Sequence, residues 1–68
     1  MSRQTFQVGD VLDARIMRVL PFGAFVEPVG GFDALIVTKD RLPGAGAVVP
    51  VRVAEIDEEN MRMRLTLA

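Results

Sequence analysis

The 68-residue chain has no cysteine, no histidine, no tryptophan and no tyrosine. Without cysteine it forms no disulfide and offers no thiolate to a metal. Without histidine it lacks the commonest general base and the commonest metal ligand, so neither catalysis nor a metal or cofactor site is expected. Its aromatics are four phenylalanines. No apolar run reaches the roughly 20 residues of a membrane-spanning helix. The opening residues MSRQT carry no apolar signal region. The expected location is the cytoplasm, with no membrane contact. Neither sign of charge dominates: eight Lys+Arg against nine Asp+Glu leave a formal net charge of −1. A protein that clamps duplex phosphates shows a basic excess. Any nucleic-acid binding here has to rest on a local basic stripe plus stacking, and is expected to be weak and salt-sensitive.

Half of the residues are hydrophobic, which supplies a core and argues against disorder. The length admits a single domain, near the lower limit for a core without covalent staples. Turn signals recur along the chain: Val8-Gly9-Asp10, Pro21-Phe22-Gly23, Pro28-Val29-Gly30-Gly31, Pro43-Gly44-Ala45-Gly46 and Asp57-Glu58-Glu59-Asn60. Between them lie runs of Val, Ile, Leu, Phe and Met. Short strands punctuated about every 8–12 residues mark an all-β barrel or sandwich.

Five strands are predicted, over 11–19, 23–27, 32–37, 48–56 and 61–67. In the first, Leu12, Ala14 and Ile16 share one face and Asp13, Arg15 and Met17 the other. In the fourth, Val49, Val51 and Val53 share a face. Pro50 cannot donate to a ladder, so it marks an edge or a place where the ladder is open. In the fifth, Met61, Met63, Leu65 and Leu67 alternate with Arg62, Arg64 and Thr66, and the two methionines read as core filler. Val49, Val51, Val53, Met63, Leu65, Ile16 and Ala24 are expected among the buried positions. Thr38 to Leu42 has room for one helical or 3₁₀ turn before Pro43 and Gly44 end it. Five strands in a chain this short suggest an all-β, five-stranded antiparallel Greek-key barrel, the OB-fold, whose binding face is typically strands two and three. Residues 1–7 are expected as a loosely ordered lead-in to this one domain spanning 1–68.

The most informative stretch is Pro21-Phe22-Gly23-Ala24-Phe25-Val26-Glu27. Gly23 allows a bulge or sharp bend that resets the alternation, so both rings can face the same way. Such a pair offers unstacked bases a platform, because every base has a π-face. The alternative is that both rings are core.

Taken together, Val8-Gly9-Asp10-Val11, Phe22-Gly23-Ala24-Phe25-Val26, Gly31-Phe32-Asp33-Ala34-Leu35, Val51-Arg52-Val53-Ala54-Glu55-Ile56-Asp57 and Arg62-Met63-Arg64-Leu65-Thr66-Leu67 resemble an S1 domain, the RNA-binding OB-fold. The resemblance covers residues 8–68. It implies single-stranded RNA as partner, held with low sequence preference. It places the stacking aromatics at Phe22 and Phe25, the Asp that ends strand four at Asp57, and the Arg that opens strand five at Arg62. The family's strand-three His is absent, with Ile36 or Val37 in its place, and the loop after strand three is short. These departures weigh on RNA affinity and leave the barrel untouched.

Each candidate has a plainer reading beside it. Arg62 and Arg64 contact phosphate or base, or lie on a solvated strand face paired to acids. Arg15 and Arg18 extend a basic stripe, or are simply solvated, as Lys39 and Arg41 are expected to be. Asp57 contacts RNA, or builds the turn before strand five. Two functions follow. One is an RNA-binding module, monomeric, working near the ribosome or within a larger RNA-processing or translation-related protein. The other is an OB-fold protein-interaction or structural domain with little RNA affinity, toward which the acidic balance, the missing His and the short loop point. An engineered or minimised barrel with no natural task is a third reading.

Overall fold

The computed structural model describes residues 6–68. They form β1 (Val11–Leu20), β2 (Gly23–Val29), β3 (Phe32–Val37), β4 (Val48–Asp57) and β5 (Arg62–Leu67). The strands close into a barrel in the order β1-β2-β3-β5-β4, with β4 pairing back onto β1. Closure gives each strand a paired neighbour on both sides over at least part of its length, which protects the sheet edges. Four ladders are antiparallel, and the β3·β5 ladder is parallel. The chain reaches β5 only after crossing to β4 and turning back, so β5 arrives beside β3 in the same direction.

Inward residues stack in two rings around the barrel. One passes through Ile16, Val26, Ala34, Met63 and Ile56, which are successive register partners. The next passes through Ala24, Ile36, Leu65 and Val53. Ile16, Ile36, Leu65, Val51 and Val53 are the largest wholly buried side chains. Small residues on the first three strands, Ala14, Ala24 and Ala34, leave room for them within the narrow bore. Of the seven positions expected inside, Val51, Val53, Met63, Leu65, Ile16 and Ala24 are buried. Val49 is half-buried and packs against the core from outside it.

Register shifts interrupt three ladders: β1·β2 between Ile16 and Arg18, β2·β3 between Val26 and Val29, and β4·β5 between Val53 and Glu55. Such bulges add local twist, which helps a short sheet curl closed. The bulge expected at Gly23 is therefore at Met17 on the partner strand. Gly23 serves close approach instead, since a Cβ there would collide with the backbone of Ile36.

Met61 is corrected from core filler to turn residue. It sits at φ 52° and is half exposed, because the turn after Asp57 needs a left-handed step there. The backbone of 38–42 makes a bend without a helical turn. Thr38 Oγ1 accepts from the Asp40 N–H at 3.1 Å. Pro50 lies one residue beyond the last β4·β5 pair, Val51 with Leu67, where the ladder has opened. Its carbonyl accepts from the Ala68 N–H at 3.2 Å. Most of the lead-in expected over 1–7 lies outside the described residues. Of its two described members, Phe6 packs against the core and the Gln7 N–H donates to Asp10 Oδ2 at 2.9 Å.

Candidate nucleic-acid interface

Alternation along β2 turns Ala24 and Val26 inward and Phe25 outward. Phe22 precedes the strand, in the β1–β2 turn, where its carbonyl accepts from the Thr38 N–H at 3.0 Å. Phe25 is 47% exposed and Phe22 is 56% exposed. Neither ring is in the core. Burying a Phe side chain is worth about 1.5–3 kcal/mol, so two exposed rings in so small a domain are a marked departure from ordinary packing.

Phe25 lines an open groove of about 750 Å³ on the outer face of β2, β3 and β5. Across the ladders its register partners are Arg18 on β1 and Leu35 on β3. Leu35 in turn pairs with Arg64, and Arg64 with Glu55. One row of outward side chains thus runs Arg18, Phe25, Leu35, Arg64, Glu55. The neighbouring row runs Asp33, Arg62, Asp57. Of the residues singled out from the sequence, the fold brings Phe25, Asp57, Arg62 and Arg64 together in the groove. Arg18 borders Phe25 without lining the groove. Phe22 and Arg15 do not line it.

The electrostatics of these groups differ. Arg64 Nη1 lies 3.0 Å from Glu55 Oε2, with both side chains well exposed. Arg15 Nε lies 3.9 Å from Glu27 Oε1. Such exposed pairs are worth about 0–1 kcal/mol and are screened by salt, so either arginine can exchange its partner for a phosphate at little cost. Asp57 accepts from Asn60 Nδ2 at 2.8 Å and from the Asn60 N–H at 3.2 Å. Those bonds, with a smaller contribution from Arg62, hold its carboxyl below the ordinary 3.8. It builds the β4–β5 turn, and Arg62 is delivered into the groove immediately after it.

The sequence pattern did not reveal Asp33, Leu35 and Glu55, which also line the groove. Asp33 and Leu35 alternate with buried Ala34 and Ile36, and that alternation was the available signal. Their approach to Arg62 and Arg64 depends on the β3·β5 pairing. With Asp33, Glu55 and Asp57 against Arg62 and Arg64, the groove carries one more acid than base. Among the described residues no group of His, Cys, Asp and Glu is placed to hold a metal ion, and no helix is long and apolar enough to cross a membrane.

No protein-family model matches the chain. The small ribosomal subunit protein bS1 homolog of Bacillus subtilis is 35% identical over an alignment that covers 94% of this chain and 19% of that protein. The polyribonucleotide nucleotidyltransferase of Aquifex aeolicus is 40% identical over 78% of this chain and 8% of its own length. The chain therefore spans less than a fifth of these relatives. The solution structure of GSP13 from Bacillus subtilis superposes with a TM-score of 0.77 at 27% identity, over 93% of this chain and 56% of that one.

Proposed function

Because the chain is an S1-type OB-fold domain, we propose that it holds single-stranded RNA, weakly and with little sequence preference, as a module of RNA processing or translation. The observation that carries this reading is the groove, in which an exposed Phe25 ring, Arg62 and Arg64 meet on the outer face of β2, β3 and β5. An unstacked base lies on Phe25, since stacking accepts any base. Arg62 and Arg64 reach the sugar-phosphate backbone. Arg18, beside Phe25, and Arg15 extend the cationic border, and Phe22 offers a second ring at the barrel's end. Asp57 acts through the turn it builds. The likeness to short portions of long relatives supports a role inside a larger RNA-handling or ribosome-associated protein. The domain itself is monomeric in this reading.

The test is an NMR titration with a single-stranded RNA heptamer at low salt. The amides of Phe25, Leu35 and Arg62 are expected to shift, and the shifts to shrink as salt rises. Absence of any shift at low salt removes this reading. One observation favours a second reading, a protein-docking face: three carboxylates line the groove and one of them already engages Arg64. In that case RNA leaves the groove amides unmoved.

A further inference from the structure

Stacking on Phe25 explains why bases bind and says nothing about which base. Asp33 lies where it can impose a choice. It is the parallel-ladder partner of Arg62, and both side chains are exposed. Among the described residues neither side chain makes a hydrogen bond or ion pair. The other groove acids are engaged, Asp57 by Asn60 and Glu55 by Arg64. Asp33 is thus the groove carboxylate with its acceptors free, next to a guanidinium with its donors free.

Position fits this role. Asp33 and Leu35 are two residues apart on the same outer face of β3, roughly 7 Å along the strand. Leu35 is the cross-strand neighbour of Phe25. A base lying on the Phe25–Leu35 surface therefore presents an edge toward Asp33 and Arg62.

The chemistry of that edge decides the base. An ionised carboxylate only accepts, and a guanidinium only donates. Guanine offers two adjacent donors, N1–H and the N2 amine, beside the acceptor O6. Uracil offers one donor between two acceptors, which a carboxylate repels. Cytosine and adenine each offer a single exocyclic amine with an acceptor beside it. We infer that Asp33, with Arg62 beside it, selects guanine at the base position over Phe25: Asp33 accepts from N1–H and N2, and Arg62, whose fork of five donors also reaches the backbone phosphate, donates to O6. This rests on the RNA-binding reading above and adds one discriminating position to a site that otherwise tolerates any base. It also accounts for a carboxylate in a groove meant for a polyanion: Asp33 lowers general affinity and raises selectivity.

The experiment measures fluorescence anisotropy of labelled heptamers UUUXUUU, with X as G, inosine, A, C or U, at low salt. Wild-type protein is compared with Asp33→Asn and Phe25→Ala. The G heptamer is expected to bind about five- to tenfold more tightly than the U heptamer, the lower range for a bidentate base contact. Inosine, which lacks the N2 amine, falls between. Asp33→Asn brings the G-to-U ratio to about one and leaves U binding equal or slightly tighter, because a negative charge is gone. Phe25→Ala weakens every heptamer. A wild-type ratio near one with Phe25-dependent binding overturns the inference alone, as does a ratio that survives Asp33→Asn. Failure of every heptamer to bind overturns the RNA-binding reading and this inference with it.

Discussion

The backbone of Ile36 on β3 passes so close to Gly23 on β2 that position 23 has no room for a side chain. The Gly23–Val37 and Ala24–Ile36 pairs open the β2·β3 ladder, so this contact fixes where β2 begins. It therefore also fixes which way Phe25 points. Gly23→Ala is expected to destabilise the fold by about 1–3 kcal/mol, the cost of overpacking against backbone. Gly44 provides the control. A Cβ there meets nothing within 4 Å, and its φ is not positive. Gly44→Ala is expected to be neutral or to stabilise by about 0.4–1 kcal/mol through the unfolded chain. Urea denaturation of the two variants checks both signs.

Core deletions should be costly because so few side chains hold the barrel. Val51 and Leu65 are wholly buried, and neither lines the groove. Leu65→Ala is expected to lose about 2–5 kcal/mol, and Val51→Ala somewhat less. Total stability of a domain this size is near the low end of about 5–15 kcal/mol, so Leu65→Ala is expected to leave little folded population at 37 °C. Losses below about 0.5 kcal/mol for both, measured by chemical denaturation, would contradict their placement in the core.

The strands were legible because their chemistry is local. Met63 and Leu65 alternate with Arg62 and Arg64 whatever the rest of the chain does, and the structure keeps that alternation. Met61 departs from it because the preceding turn requires a left-handed residue, and the alternating pattern carries no sign of φ. The Met17 bulge was hidden for a related reason: it depends on how β1 meets β2, and nothing within β1 announces it. The candidate site divides in the same way. Phe25, Arg62, Arg64 and Asp57 were recognisable from their neighbours in sequence. Asp33 and Leu35 enter the groove through the pairing of β3 with β5, between residues nearly 30 positions apart, which no local pattern encodes.

Acid should weaken the β4–β5 turn through Asp57. The side-chain and backbone bonds from Asn60 favour its ionised form and lower its folded value below 3.8. A lowered carboxyl contributes stability that is present above its unfolded value and lost as pH falls through its folded one. Thermal melts from pH 5 downward should show stability declining once pH passes below about 4, where the unfolded carboxyl protonates. Asp57→Asn should flatten part of that decline. An unchanged pH profile in Asp57→Asn would show that the Asn60 bonds contribute nothing to it.

Binding should depend unequally on the two exposed rings. Phe25 lines the groove beside Leu35 and Arg64, and Phe22 stands outside it in the β1–β2 turn. Phe25→Ala is expected to cost about 1–3 kcal/mol of single-stranded RNA affinity, the usual worth of one base stacked on an aromatic. Phe22→Ala should cost less. Arg62→Gln should weaken binding and reduce its salt dependence, since one fewer cation displaces counterions from the RNA. None of the three side chains is core, so melting temperatures should stay close to wild type and separate lost contact from lost fold. Isothermal titration at two salt concentrations reads all of these effects. Equal losses for Phe22→Ala and Phe25→Ala would move the platform from the groove to the barrel's end, where Phe22 meets the loop that begins at Thr38.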